Sequence, residues 1–213
     1  MSLPRFLRTS LAFAAVLAVT VLPALQAQAQ DSDELLDRLR MRYETTDALR
    51  AQFTQSFGEM TMQGTLVLRG DAYRIETPDQ MLVTDGTTSW VYSKADGQVL
   101  VNDAIADETT FSPADFFTNY PERFNVEVGP SETVDGVGHD VLLLTPKSSD
   151  TFLREVTLWV RRSDTLPRRV QVVDGNGLRM VFDLRDVEVN PPLRGDVFRF
   201  TPPPGAEVVD LRS

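Results

Sequence analysis

The chain has 213 residues, of which 42% are hydrophobic and 24% are charged, a composition typical of a folded globular domain. It contains no cysteine and a single histidine, His139. We therefore expect no disulfide framework, thiolate metal site, cysteine nucleophile or lipid-anchored cysteine. The formal net charge is −10, which disfavours nucleic acids and anionic lipid surfaces as partners, because both are bound through clustered lysine and arginine.

Residues 1–29 have the pattern of a secretory signal peptide. Two arginines precede an apolar run that ends at Leu22, and Ala27-Gln28-Ala29 supplies a cleavage site of the A-x-A type. The apolar run is shorter than the ~20 residues that a transmembrane helix needs. We therefore expect cleavage before Gln30, which lowers the net charge to −12 and leaves residues 30–213 as one soluble domain in the bacterial periplasm or exterior.

The remaining sequence predicts one helix followed by a long series of strands. Apolar residues at helical spacing follow the acidic segment 31–34 and predict an amphipathic helix of about a dozen residues; they are Leu35, Leu36, Leu39 and Tyr43. From Leu49 onward apolar and polar residues alternate, and four Asp-Gly pairs mark hairpin turns. A second short helix is predicted over 112–118, where a serine precedes a proline. The predicted strands are residues 50–57, 60–69, 72–77, 80–84, 88–93, 98–102, 123–128, 139–145, 152–161, 167–173, 178–188 and 197–201.

These strands predict a mainly β protein built on one large, strongly curved antiparallel sheet. In segment 60–69 the even-numbered residues are apolar or glycine and the odd-numbered ones are mostly polar, which gives the sheet one apolar face. Trp90 and Ile75 are assigned to that face. The periodicity alone leaves two interpretations open: a closely packed core, and an apolar pocket that two short helices cover only in part.

No motif in the chain supplies catalytic chemistry. His139 follows a turn and has no nucleophile or orienting group nearby in sequence, so it is interpreted as a surface histidine. The segment 174–177 (DGNG) lacks the full calcium-loop pattern and is interpreted as a tight turn with two glycines at positive φ. A glycosidase-type pair among the 31 acidic residues stays open, since such pairs come from distant strands. We expect no enzyme activity, no cofactor and no metal.

An ordered set of segments resembles the LolA family of periplasmic carriers of outer-membrane lipoproteins. The similarity extends over essentially the whole chain after residue 29, and its specificity comes from the combination of segments. These segments are 51–55 (AQFTQ), 64–70 (GTLVLRG), 73–75 (YRI), 82–86 (LVTDG), 90–92 (WVY), 144–147 (LTPK) and 198–210 (FRFTPPPGAEVVD).

The resemblance implies an unclosed antiparallel β half-barrel with a helical lid over a concave apolar face that binds lipoprotein acyl chains. It implies that the protein, a monomer, receives acylated lipoproteins from an inner-membrane lipoprotein-releasing ABC transporter and passes them to an outer-membrane acceptor lipoprotein. The predicted cavity residues are Phe53, Met62, Leu66, Leu68, Tyr73, Ile75, Leu82, Trp90, Phe116 and Phe117.

By the same resemblance, Arg69 is the latch that ties the lid to the sheet, since a guanidinium has five donors for lid carbonyls. A surface arginine beside one of many carboxylates is the alternative interpretation. The chain departs from the family at Gly70, where proline is usual, and at Ile75, where tryptophan is usual. Two other functions stay open: a lipid or lipoprotein sensor of the same fold that regulates an envelope stress response, and an envelope hydrolase.

Overall fold

The computed structural model describes residues 22–104, 123–149 and 151–212, with backbone alone for 22–32. The described residues divide into two compact units, with the boundary between Arg38 and Leu39. Helix α1 (Leu22–Glu44) begins nine residues earlier than the sequence predicts, because the alanines, leucines and glutamines before residue 31 favour a helix and contain no stop signal. Among the described residues no helix combines the length and apolar character needed to cross a membrane.

Twelve strands of the second unit form one sheet. In chain order the strands are β1 (Leu49–Phe57), β2 (Met60–Arg69), β3 (Ala72–Glu76), β4 (Gln80–Thr84), β5 (Thr88–Ser93), β6 (Gln98–Asp103), β7 (Phe124–Val134), β8 (Val137–Pro146), β9 (Leu153–Arg161), β10 (Leu166–Asp174), β11 (Arg179–Val189) and β12 (Glu207–Asp210). Their order across the sheet is β12-β6-β5-β4-β3-β2-β1-β11-β10-β9-β8-β7. The two outer strands β12 and β7 do not pair, so the sheet is unclosed, as predicted.

Ten predicted strands are confirmed with end shifts of at most two residues, and the strand predicted over 123–128 is confirmed as β7, which continues six residues further to Val134. The strand predicted over 197–201 is wrong. Backbone N–H groups there donate to turn carbonyls, from Val197 to Arg194 and from Arg199 to Asp196, instead of to a neighbouring strand. The last strand is β12, which pairs in parallel with β6, whereas all other neighbours are antiparallel. The predicted helix over 112–118 lies outside the described residues.

Cross-strand pairing divides the side chains between two faces of the sheet, because paired residues in a ladder point the same way. One face, called the Leu66 face, carries the buried side chains of Leu49, Ala51, Phe53, Leu66, Leu68, Leu142, Leu144, Val156, Leu158, Val170 and Leu184. The other, called the Trp90 face, carries Val67, Val83, Trp90, Val99 and Val101. Both faces therefore hold apolar side chains, where the sequence predicts one apolar face.

The C-terminal segment contributes to the Trp90 face. The ring centroids of Tyr92, on β5, and Phe200 lie 5.9 Å apart. Tyr92 shares its face with Trp90, two residues earlier on the same strand. Phe200, one of the apolar residues that give segment 197–201 a strand-like pattern, therefore packs against the sheet without belonging to a strand.

Candidate functional site

A continuous line of apolar side chains crosses seven neighbouring strands on the Leu66 face. Each member is the cross-strand partner of the next, from β1 through β6 to β12. We call this line the apolar row; it consists of Ala51, Leu66, Ile75, Leu82, Val91, Leu100 and Val209. At about 4.8 Å between strands, six spacings give the row a length of roughly 29 Å.

Exposure increases along the apolar row. Ala51 and Leu66 are buried, with 1% and 5% of their surface exposed. The five members from β3 to β12 are all half-buried. This part of the row therefore presents apolar surface that side chains of the protein cover incompletely, as a binding surface for an apolar ligand requires.

Polar side chains border the exposed part of the row on both sides. Two residues away along each strand, one border consists of Thr84, Ser89 and Asn102. The other border consists of Gln80, Ser93 and Gln98. Over β4, β5 and β6 the apolar surface is thus one side chain wide, between hydroxyl and amide groups. A narrow apolar band of this kind suits an extended hydrocarbon chain better than a compact apolar molecule.

Seven of the predicted cavity residues share the Leu66 face. Phe53, Leu66, Leu68, Tyr73, Ile75 and Leu82 are connected through cross-strand pairs, and Met62 joins them through its partner Gln55. Phe53 is 7% exposed, whereas Met62, nearer the β1–β2 turn, is 39% exposed. Phe116 and Phe117 lie outside the described residues.

The assignment of Trp90 to this face is wrong. Trp90 pairs with Val83 and Val101, and its neighbour Val91 pairs with Leu82 and Leu100. Val91 therefore belongs to the apolar row, and Trp90 lies on the opposite face. The sequence analysis also missed Leu100, which pairs with Val91 across the Asp96-Gly97 turn. It missed Val209 as well, whose membership depends on pairing between β6 and β12 that no local turn indicates.

Comparison with known proteins identifies the family. The family model described as "Outer membrane lipoprotein carrier protein LolA" matches residues 44–201. The chain belongs to the LolA family. Proteins named "Outer-membrane lipoprotein carrier protein" from Alcanivorax borkumensis and Cupriavidus necator are 30% and 31% identical to it, and each alignment covers 91% of this chain and 96% of the relative. An uncharacterised conserved protein from Thermus thermophilus shares the fold, with a TM-score of 0.59 at 13% identity over 84% of this chain and 99% of that one.

Arg69, the residue that the LolA resemblance marks as a latch, is the last residue of β2. Its side chain is exposed and makes no hydrogen bond or ion pair with the residues that the structure describes. Gly70 follows in a turn with φ +54, a conformation that proline, the usual family residue here, does not adopt. The segment that the latch is expected to hold lies outside the described residues, so the latch stays a prediction.

His139 is buried, with 1% of its surface exposed, so its interpretation as a surface histidine is wrong. Its Nδ1 lies 2.8 Å from the carbonyl oxygen of Val137, to which it donates, and its buried Nε2 has no hydrogen-bond partner among the residues that the structure describes. Its cross-strand partners are Glu132 and Arg161. Because the ring is enclosed, it cannot reach a substrate in this conformation, and we assign it no catalytic role.

The segment 174–177 is a turn held by its own first residue. Asp174, which is buried, accepts hydrogen bonds at Oδ1 from the backbone N–H groups of Asn176 at 2.9 Å and Leu178 at 2.8 Å. Gly177 has φ +81, as predicted, but Gly175 does not have positive φ. Over the described ranges no group of three or more His, Cys, Asp or Glu side chains could hold a metal ion.

Proposed function

We propose that this protein is a periplasmic carrier that holds the acyl chains of lipoproteins against the half-buried part of the apolar row. The observation that carries the proposal is the row itself, a band of incompletely covered apolar side chains with polar borders. Membership of the LolA family and the names of the relatives support the same cargo. The proposal includes removal of residues 1–29 on export, loading by an inner-membrane lipoprotein-releasing ABC transporter and delivery to an outer-membrane acceptor lipoprotein.

The energetics require loose binding. Burial of a methylene group contributes about 0.8 kcal/mol, so one long acyl chain gains on the order of 10 kcal/mol before any cost is subtracted. A carrier that encloses its cargo completely would release it too slowly for transfer. Half-buried row members and polar borders limit the apolar contact that a chain can make, and opening of a lid offsets a further part of the gain.

We further propose that residues 112–118 form the lid, with Phe116 and Phe117 on the acyl chains and Arg69 as the latch. Loss of a charge-assisted hydrogen bond costs roughly 1.5–3 kcal/mol, so Arg69→Leu would move the lid equilibrium by one to two orders of magnitude. Folding would change little, because the Arg69 side chain is exposed. We expect the variant to accept lipoproteins from membrane vesicles normally and to pass them on slowly; equal rates for variant and wild type in both steps would remove the latch from the proposal.

The binding surface is tested by two neighbouring residues on opposite faces of β4. Leu82 belongs to the apolar row, whereas Met81 is also half-buried but points to the Trp90 face. Binding of a fluorescent triacylated lipopeptide to residues 30–213 is measured for wild type, Leu82→Gln and Met81→Gln. We expect Leu82→Gln to weaken binding by about tenfold, because part of a Leu burial of ~1.5–3 kcal/mol is lost, and Met81→Gln to bind like wild type.

Equal effects of the two substitutions, or no lipopeptide binding by wild type, would refute the proposed surface.

Onward transfer of the cargo distinguishes a carrier from a sensor and from a hydrolase. Protein purified from its own periplasm is examined by native mass spectrometry and then mixed with acceptor. Bound acylated species that leave for the acceptor support the carrier; bound species that stay indicate a sensor, and chemical conversion of an envelope lipid or glycan indicates a hydrolase.

A further inference from the structure

Strands β10 and β11 separate at one end of their shared seam. Their pairing runs from Val173↔Arg179 to Arg169↔Asp183 and stops there, although β10 begins at Leu166 and β11 continues to Val189. Both strands are irregular at this point. On β10, Arg168 has no partner on β9, and on β11 the pairing with β1 shifts register around Asp186. Bulges of this kind bend and twist strands locally, which accounts for the opening.

A pocket of about 200 Å³ occupies the opening, and it carries charged groups of both signs. Its lining consists of Arg161, Leu166, Pro167, Arg168, Asp186 and Val187. The guanidinium of Arg161 is already engaged: its Nε donates to Asp164 Oδ1 at 3.0 Å and its Nη2 to Asp164 Oδ2. This bond raises the pKa of Arg161 above its ordinary value. Arg161 therefore contributes to the wall of the pocket as half of a neutral pair.

The two remaining charges have no partner within the described ranges. Arg168 is half-buried and Asp186 is exposed, and neither makes an ion pair or side-chain hydrogen bond with a described residue, including with each other. Their charged atoms are thus more than 4.0 Å apart. Asp186 also has φ +49, a conformation uncommon outside glycine, asparagine and aspartate. The backbone holds the carboxylate at the pocket in a conformation that aspartate tolerates.

A cation and an anion that line one small pocket but do not meet are complementary to a ligand with both charges. A guanidinium binds phosphate oxygens through several N–H donors, and a carboxylate accepts hydrogen bonds from a primary ammonium group. We propose that this pocket binds a zwitterion of the phosphoethanolamine type, with the phosphate on Arg168 and the ammonium on Asp186. The ligand source is either a soluble headgroup or a phospholipid in a membrane. This inference does not rest on the proposed acyl-chain carriage.

The test uses glycerophosphoethanolamine, which has the zwitterionic headgroup and no acyl chain, with inorganic phosphate and ethanolamine as single-charge probes. Binding to residues 30–213 is followed by titration in ¹H–¹⁵N NMR spectra, which also show that each variant is folded. We expect the zwitterion to bind at least tenfold more tightly than either single-charge probe. Arg168→Gln and Asp186→Asn should each reduce its affinity about tenfold, as expected for one lost charge-assisted bond. The asparagine variant retains a residue that tolerates positive φ.

Arg179→Gln is the matched control, because Arg179 is exposed on β11 at the opposite end of the seam and has no ion pair with described residues. It should leave binding unchanged. Failure of the zwitterion to bind, equal binding of inorganic phosphate and zwitterion, or a loss shared by Arg179→Gln would overturn the proposal. Flotation with phosphatidylethanolamine vesicles then distinguishes the sources: co-flotation that is lost in Arg168→Gln assigns a membrane lipid, and titration without co-flotation assigns a soluble headgroup. If the zwitterion does not bind, the expected lipopeptide binding at Leu82 is unaffected, because the two sites are tested by separate variants.

Discussion

Gly64→Ala should destabilise the protein because two neighbours occupy the space that a methyl group needs. Gly64 pairs with Phe53 across β1 and β2. A Cβ atom at position 64 would lie 2.6 Å from Phe53 Cζ, 2.7 Å from Phe53 Cε1 and 2.6 Å from the carbonyl oxygen of Glu76. The ring can turn away, but the carbonyl belongs to the β2–β3 ladder, where Glu76 pairs with Thr65. One of the two conflicts therefore requires movement of the backbone.

The expected cost follows from these contacts. Overpacking costs about 1–3 kcal/mol, and rotation of Phe53 away from its rotamer and its neighbour Phe182, 6.4 Å between ring centroids, adds about 0.5–1.5 kcal/mol. The smaller chain entropy of alanine in the unfolded state returns about 0.4–1 kcal/mol. We expect a net loss of about 2 kcal/mol, which lowers Tm by roughly 4–8 °C for a domain of this size.

The measurement is urea unfolding of residues 30–213, followed by circular dichroism. The matched control is Gly138→Ala on β8, where φ is not positive and the nearest atom to a new Cβ is Arg162 Cδ at 3.7 Å. We expect that control to be neutral or slightly stabilising. If Gly64→Ala is as stable as Gly138→Ala, close approach of the Phe53 ring and the Glu76 carbonyl does not explain the glycine.

Three further substitutions test contacts elsewhere in the fold. Asp85→Ala removes a carboxylate that accepts a hydrogen bond from the N–H of Thr88 at 2.8 Å. That bond lowers the pKa of Asp85 in the folded protein. The hydrogen bond therefore contributes about 1 kcal/mol to the free energy of unfolding above the ordinary pKa of 3.8, and this contribution is lost as pH falls through the folded pKa. Unfolding of both proteins at pH 7 and pH 2.5 should show a smaller difference in stability at pH 2.5 than at pH 7. Asn190→Ala removes three hydrogen bonds that join the residue after β11 to residues 45–48, which precede β1, and it strains a residue with φ +51. We expect a loss of about 2–3 kcal/mol and a smaller one in Asn190→Gly, measured by thermal unfolding. Trp159→Phe removes the hydrogen bond from Nε1–H to Glu132 Oε2 at 2.8 Å, so it should lower the free energy of unfolding by about 1–2 kcal/mol. Lipopeptide affinity should stay unchanged, since Trp159 lies on the Trp90 face. A fall in affinity would contradict the assignment of faces.

The lengths of the turns in the sequence determine which residues of neighbouring strands share a face. A two-residue Asp-Gly turn at 85–86 pairs even-numbered residues with odd-numbered ones, so Leu82 must share a face with Val91, and Val83 with Trp90. The structure has a longer turn, with Thr84 opposite Ser89, but two added residues leave this parity unchanged. The apolar character of Trp90 suggests the Leu66 face, but the pairing that the turn dictates places it on the opposite face.

The burial of His139 could not be predicted in the same way. Its position beside a turn in sequence suggests exposure, and β8 does begin at the turn, at Val137. What buries the ring is its place between β7 and β9, opposite Glu132 and Arg161. A histidine on an edge strand in the same turn would be exposed. Burial here is a property of the neighbours on both sides, and the local sequence does not contain them.

By itself the sequence determined the helix near the start of the domain, eleven of the twelve strands and the family, because periodicity, Asp-Gly turns and ordered motifs are local features. The tertiary structure decided which strands that are distant in sequence become neighbours. Pairing of β1 with β11 and of β12 with β6 joins segments more than a hundred residues apart. Only the pairing of β12 with β6 extends the apolar row from Leu100 to Val209. The energy that selects such pairs comes from packing summed over the whole sheet, and no short stretch of sequence carries that sum.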